Sequence, residues 1–142
     1  MSEDRLADER AFPTEAEVEE YLKLTPLLHS AIKEVKEFSK KRPDGVMSSL
    51  KVRLLNRLLV QLKEAMHVGP ATQYLDLLDE ETLPDYSDAV LILSQYDAAI
   101  QSFSRRFRGS DEHTGPYEKR WFTEEDPPER DEAEDWAEDD EE

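Results

Sequence analysis

The sequence predicts an all-α protein: a small bundle of four to five helices followed by a disordered, acidic C-terminal tail. Apolar side chains recur at three- and four-residue spacing along three long segments, which is the period of an amphipathic helix. Proline and glycine residues separate these segments. The last 20 residues carry 13 acids and one base, a composition typical of disorder. The expected organisation is a flexible N-terminus over 1–13, a helical bundle domain over 14–108, a linker over 109–122 and a disordered acidic tail over 123–142.

The first helix is expected to begin at Thr14, whose hydroxyl can cap it. Glu17 stands three residues later and can complete a capping box. The pair Thr25 and Pro26 has the pattern of another helix start, so the sequence predicts either a kink or a new helix there. The apolar residues between 27 and 38 then form a single stripe.

The second helix is expected to run from a cap at Ser48 or Ser49 to about His67. Its apolar residues occupy more than one stripe, so the pattern predicts a central helix that is buried on two sides. A Gly-Pro pair ends it. Residues 70–78 contain one tyrosine and three leucines and predict a short additional helix.

The third long helix is expected to start within residues 83–88 and to end at Gly109. Residues 90–93 alone would suit a strand, but the helical spacing continues to Phe107, and a pattern of this length favours a helix. The predicted core contains Leu54, Leu55, Leu58, Leu62, Ile92, Tyr96, Ile100 and Phe103.

Several classes of protein are excluded by composition. The chain has no cysteine and therefore no disulfide, thiolate metal site or cysteine nucleophile. No apolar run approaches the roughly 18 residues of a membrane-spanning helix, and residues 1–10 lack the apolar core of a signal peptide. We therefore expect a cytoplasmic protein with no membrane partner.

Candidate catalytic and metal-binding patterns are weak. Glu64 and His67 have the spacing used in di-iron bundles, but such a site needs a second copy of the motif. The carboxylates between Asp76 and Asp88 flank a proline-containing loop, where aspartate is expected for capping and turns. No serine is paired with a histidine in a local motif. We expect no catalytic residue, no metal site and no cofactor.

Basic side chains cluster in two parts of the predicted bundle. Residues 33–57 hold eight bases and three acids, whereas residues 64–104 hold eight acids and no lysine or arginine. Solvated helix faces explain such clusters without a ligand, and a site for phosphate, nucleic acid or an acidic protein segment is the functional alternative. The candidate anion-binding patch comprises Lys40, Lys41, Arg42, Arg53, Arg57, Arg105, Arg106 and Arg108.

Aromatic residues in and beside the acidic tail are the most informative feature. A solubilising tail has no need of tryptophan, whereas an aromatic side chain among acids suits a linear motif that fills an apolar pocket with a basic rim. The candidate partner-binding residues are Trp121, Phe122, Trp136, Asp139, Asp140 and Glu141. An inert solubilising tail and a tail that docks on its own basic face remain the alternatives.

These features predict a non-enzymatic interaction or regulatory module, either an accessory subunit or an adaptor. It would bind a protein partner with a basic or apolar-pocket surface through a helical face and the tail, and a homodimer is compatible with the sequence. A nucleic-acid mimic that inhibits a DNA- or RNA-binding protein is one alternative, although residues 13–109 are nearly neutral, with 15 acids and 13 bases. We expect no direct binding to nucleic acid while the tail is present. An enzyme or enzyme subunit with a carboxylate site around Asp76–Asp88 is the other alternative.

Overall fold

The computed structural model describes residues 11–129. Within them, three α-helices form the body of the protein: α1 (Glu15–Lys41), α2 (Ser49–Ala65) and α3 (Tyr86–Phe107). A short 3₁₀ helix spans Pro70–Tyr74, and two short strands, β1 (Arg108–Gly109) and β2 (Arg120–Trp121), pair antiparallel. The helical class is therefore confirmed. The count of four to five helices is wrong, since the described part of the chain contains three α-helices.

Each long helix begins at a residue whose side chain caps it. Thr14 and Glu17 form the expected capping box, with the Thr14 Oγ1 accepting from the Glu17 amide at 3.1 Å and the Glu17 carboxylate accepting from the Thr14 amide at 2.9 Å. Ser48 caps α2, and Asp85 caps α3 through the Asp88 amide at 2.8 Å. Each such cap stabilises its helix by about 1 kcal/mol.

Helix α1 continues through Pro26, so no new helix starts there. Proline has no amide hydrogen and frees the carbonyl four residues earlier, which belongs to Leu22. Both Leu22 and Pro26 are exposed, so water can hydrogen-bond to that carbonyl. The Thr25 hydroxyl donates to the Tyr21 carbonyl and remains buried inside the helix instead of capping one.

The central helix is α1, because it packs against both α2 and α3. At one end of the bundle the Phe38 and Tyr86 rings stack, with their centroids 5.4 Å apart, and at the other end Phe12 contacts Phe107. Helix α3 therefore runs antiparallel to α1. Helix α2 does so too, because Lys51 near its start lies over Phe38 and His67 just after its end contacts Glu17. The expectation that α2 is the central helix is wrong. Its second apolar stripe faces solvent and not a third helix.

The short helix predicted over 70–78 is present only as the 3₁₀ helix Pro70–Tyr74, and an extended crossover follows it. After the 3₁₀ turn, the chain returns along the bundle with Leu75 and Leu78 buried. The Asn56 side chain accepts from the Leu78 amide at 2.9 Å and donates to the Leu78 carbonyl at 2.8 Å. The Tyr96 hydroxyl donates to the Asp76 carbonyl at 2.9 Å. Side chains of α2 and α3 thus supply the backbone hydrogen bonds that a helix would have made internally.

The predicted core is mostly correct. Leu55, Leu62, Tyr96, Ile100 and Phe103 are buried, and Leu58 and Ile92 pack against them while partly exposed. The exception, Leu54, is 48 % exposed.

Residues 109–129 pack on the bundle. The Phe122 amide donates to the Phe107 carbonyl at 2.7 Å, and the Glu124 amide donates to the Pro13 carbonyl at 2.8 Å. Thr123 is buried. The segment predicted as a linker and the first seven residues of the predicted tail therefore belong to the folded body, whereas residues 130–142 lie outside the described part.

Candidate functional site

A cavity of about 310 Å³ opens between α1 and α2, and we call it the α1–α2 groove. Its lining is largely apolar, with Glu34 and Lys51 as the charged members. The lining residues are Ala31, Glu34, Val35, Phe38, Met47, Lys51, Leu54, Leu55 and Tyr86. The volume lies at the lower end of the range for ligand pockets, roughly 300–1,000 Å³, which suits a single large side chain.

Helix periodicity extends the apolar walls beyond the cavity. On α1, Leu27 precedes Ala31 by one turn and is 58 % exposed. On α2, Leu50 stands one turn before Leu54 and is 59 % exposed, and Leu58 follows one turn later. Two apolar stripes on antiparallel helices therefore border one groove. The sequence carried a signal for this feature, because the apolar pattern of α2 is broader than one buried face requires.

Three elements fix the ring of Phe38 at one end of the groove. Phe38 belongs to α1 and stacks on Tyr86 of α3. The ammonium of Lys51, on α2, lies 4.1 Å from the centre of the Phe38 ring and donates to the Tyr86 hydroxyl at 3.0 Å. A cation over an aromatic face is attracted to it. This end of the groove is consequently held in place before any ligand arrives.

Basic residues predominate around the groove. Lys41 lies beside Phe38 and Glu34 at the end of α1. Arg53 and Arg57 are exposed and stand three residues after Leu50 and Leu54 respectively, so they border the outer edge of α2. Together with Lys51 they outnumber the two nearby acids, Glu34 and Glu37. The groove therefore has an apolar floor and a predominantly positive rim.

The predicted anion-binding patch is divided between the two ends of the bundle. Lys40, Lys41 and Arg42 end α1, near the start of α2 that carries Arg53 and Arg57. Arg105, Arg106 and Arg108 lie at the end of α3, close to the start of α1. Lys40, Lys41 and Arg42 therefore lie at one pole, Arg53 and Arg57 lie in the first half of α2, and the last three residues lie at the opposite pole.

Trp121 and Phe122, predicted to bind a partner, contact the protein's own body. The Trp121 ring lies 5.2 Å from Tyr21 and 6.1 Å from Phe103. The Phe122 ring approaches Gly109 so closely that a β-carbon there would lie 3.2 Å from it. Trp136, Asp139, Asp140 and Glu141 lie outside the described residues.

A partly buried ion pair, which the sequence did not reveal, holds residues 126–129 on the body of the protein. The Arg120 guanidinium contacts the Asp111 carboxylate at 2.7 Å and donates to the carbonyls of Asp126 and Pro127 at 2.9 and 2.8 Å. Asp111 also accepts from the Glu129 amide at 2.8 Å. The Glu129 amide, followed by Arg120, lowers the pKa of the Asp111 carboxyl far below its usual range. We call this cluster the Arg120 clasp.

Two of the carboxylates around Asp76–Asp88, those of Asp79 and Asp85, serve local backbone structure. Asp79 accepts from the amides of Thr82 and Glu81, and these bonds lower the pKa of its carboxyl. Asp85 caps α3. His67 contacts Glu17 at 2.7 Å. Within residues 11–129, no group of three or more histidine, aspartate or glutamate side chains is placed to hold a metal ion.

Comparison with known proteins identifies no relative of this chain, so its function is inferred from its geometry. None of the helices in the described part of the chain is long and apolar enough to cross a bilayer. No family model matches the chain, and no curated protein or solved structure is significantly similar to it.

Proposed function

We propose that this protein is a non-enzymatic interaction module, an accessory subunit or adaptor, which binds a protein partner through the α1–α2 groove. The observation that carries the proposal is the pair of exposed apolar stripes that converge on a cavity of about 310 Å³. The proposed module acts in the cytoplasm and needs no cofactor.

The shape and chemistry of the groove support a protein ligand. Contiguous exposed apolar surface on a small protein is typical of an interaction site. A groove between two helices accepts an amphipathic segment, whose anchoring side chain fills the pocket while its neighbours exclude water. The positive rim favours an acidic segment, because complementary charge accelerates encounter and selects among partners.

The carboxylate-rich loop supports a structural role over a catalytic one. Asp79 and Asp85 already accept hydrogen bonds from backbone amides of the turn and of the α3 start. The Oδ1 atom of each carboxylate is therefore engaged in the local backbone structure, as expected for turn and capping residues.

Two matched variants test the proposal. Leu54→Glu places a charge in the wall of the groove, whereas Leu91→Glu changes an exposed leucine of α3 that does not line the groove. Tagged full-length wild type and Leu91→Glu should recover the same partner in stoichiometric amount, and Leu54→Glu should lose it. With that partner purified, Leu54→Glu should raise the dissociation constant by about 30-fold, as expected for an anchor contact.

Thermal unfolding of both variants provides the control for folding, because the two leucines are similarly exposed and should tolerate glutamate equally. Equal binding of the purified partner by Leu54→Glu and wild type would show that the groove is not the binding surface.

A further inference from the structure

We propose that the α1–α2 groove binds the acidic C-terminal segment, residues 130–142, of a second copy of this chain. The contact joins copies head to tail, with Trp136 as the anchor. This inference rests on the proposed function, since it names the partner that the groove receives.

The segment and the groove match in chemistry. Trp136 is the one aromatic side chain among residues 130–142 and stands between acids on both sides. The groove offers a largely apolar cavity with room for one large side chain. Lys41 lies beside Phe38 and Glu34, and the exposed Arg53 and Arg57 follow the α2 wall of the groove by helix spacing, so all three can pair with the carboxylates that flank the indole. A buried aromatic anchor surrounded by charge pairs is the common composition of a strong contact.

Chain length argues against the same contact within one copy. Glu129 lies with Phe12 and Arg106 around a cavity at the pole where α1 begins. The seven residues from Glu129 to Trp136 extend over at most about 25 Å. The groove is centred near Glu34, which is roughly 29 Å from Glu15 along the helix axis at 1.5 Å per residue. Within one copy the segment would therefore have to be almost fully extended for the Trp136 ring to reach the groove, which costs chain entropy, whereas a neighbouring copy has no such limit.

The resulting contact is heterologous, because a groove on one copy meets a segment of another. In a pair of copies joined this way, one copy keeps an unused groove and the other keeps an unused segment. Further copies can therefore add as the concentration rises, whereas a symmetric pair would stop at two. The charges make it weaken as salt rises, because exposed pairs act over a Debye length of about 8 Å at physiological ionic strength.

The test uses two full-length variants that disable opposite halves of the contact. Leu54→Glu damages the groove and keeps the segment, and Trp136→Ala damages the segment and keeps the groove. Sedimentation velocity should show that wild type self-associates with rising concentration and that each variant alone does so about 30-fold more weakly. An equimolar mixture of the two variants should form a heterodimer, because one intact groove meets one intact segment, and Leu91→Glu should behave as wild type.

Three results would overturn the inference: a wild type that stays monomeric at every concentration, self-association that survives Trp136→Ala, or a mixture that forms no heterodimer. The second result would point to a symmetric contact between two grooves. If wild type is monomeric while Leu54→Glu still loses a different protein partner, the proposed function stands and only this inference fails.

Discussion

At the scale of single residues, the structure depends on polar side chains that bind distant backbone. Asn56 is nearly completely buried, and its amide group bonds to both the amide and the carbonyl of Leu78. Arg120 and Asp111 do the same for residues 126–129. Neither role could be predicted from the sequence. An asparagine in a helix gives no sign of a partner more than twenty positions away, and an arginine in a presumed linker gives no sign that it binds the backbone across a turn.

Asn56→Ala should destabilise the protein strongly. The substitution leaves the amide and the carbonyl of Leu78 without their partner, and a buried polar group without a partner costs about 1–3 kcal/mol. Urea unfolding should therefore show a loss of about 2–5 kcal/mol when both groups are counted. Gln61→Ala, on the exposed surface of the same helix, is the control and should change stability by less than about 0.5 kcal/mol. A loss for Asn56→Ala as small as that of the control would mean that water replaces the amide without penalty.

The Arg120 clasp should open in acid. The pKa of Asp111 is lowered in the folded protein, so ionised Asp111 contributes stability at neutral pH, and that contribution is lost as pH falls below the usual carboxyl range. Hydrogen exchange of the Glu129 amide should accelerate relative to an α1 amide as the solution is acidified, after correction for intrinsic rates. In Asp111→Asn, this acid-dependent change should disappear, and an unchanged pH profile would contradict the role assigned to the carboxylate.

At the scale of elements, the helices were predictable because local signals determine them. Capping side chains at Thr14 and Ser48 and the apolar period fix where α1 and α2 begin. The crossover over 75–85 was not predictable, since its extended form depends on hydrogen bonds from α2 and α3. The groove was partly predictable. The excess apolar width of α2 was visible, but its interpretation as a second buried face failed because no helix within residues 11–129 covers Leu50 and Leu54.

At the scale of the whole molecule, residues 122–129 bind to the bundle near the start of α1. Thr123 is buried there, and Glu125 accepts from the Glu15 amide at 3.0 Å. The folded body therefore includes residues 123–129. The sequence placed the boundary between body and tail at residue 123, because the acidic composition begins there and composition does not show which acids bond to the body.

Two truncations test this boundary. A chain ending at Glu129 should unfold at nearly the wild-type temperature, since it keeps the Arg120 clasp and the contact between Glu124 and Pro13. A chain ending at Phe122 loses Thr123 and both sets of contacts and should melt several degrees lower, because about 1 kcal/mol corresponds to roughly 4–8 °C in a domain of this size. Differential scanning calorimetry measures both. Equal melting temperatures would place residues 123–129 outside the cooperative unit.

The bond between Glu124 and Pro13 also determines how the protein can be tethered. It brings the first and last described residues to the same pole of the bundle, where α1 begins, while Phe38 and Tyr86 mark the opposite pole. A domain joined directly to residue 11 or to Glu129 would therefore attach at the pole away from Phe38. A circularly permuted chain, with Glu129 joined to residue 11 by a short loop and new termini opened at residues 43–45, should retain the bundle.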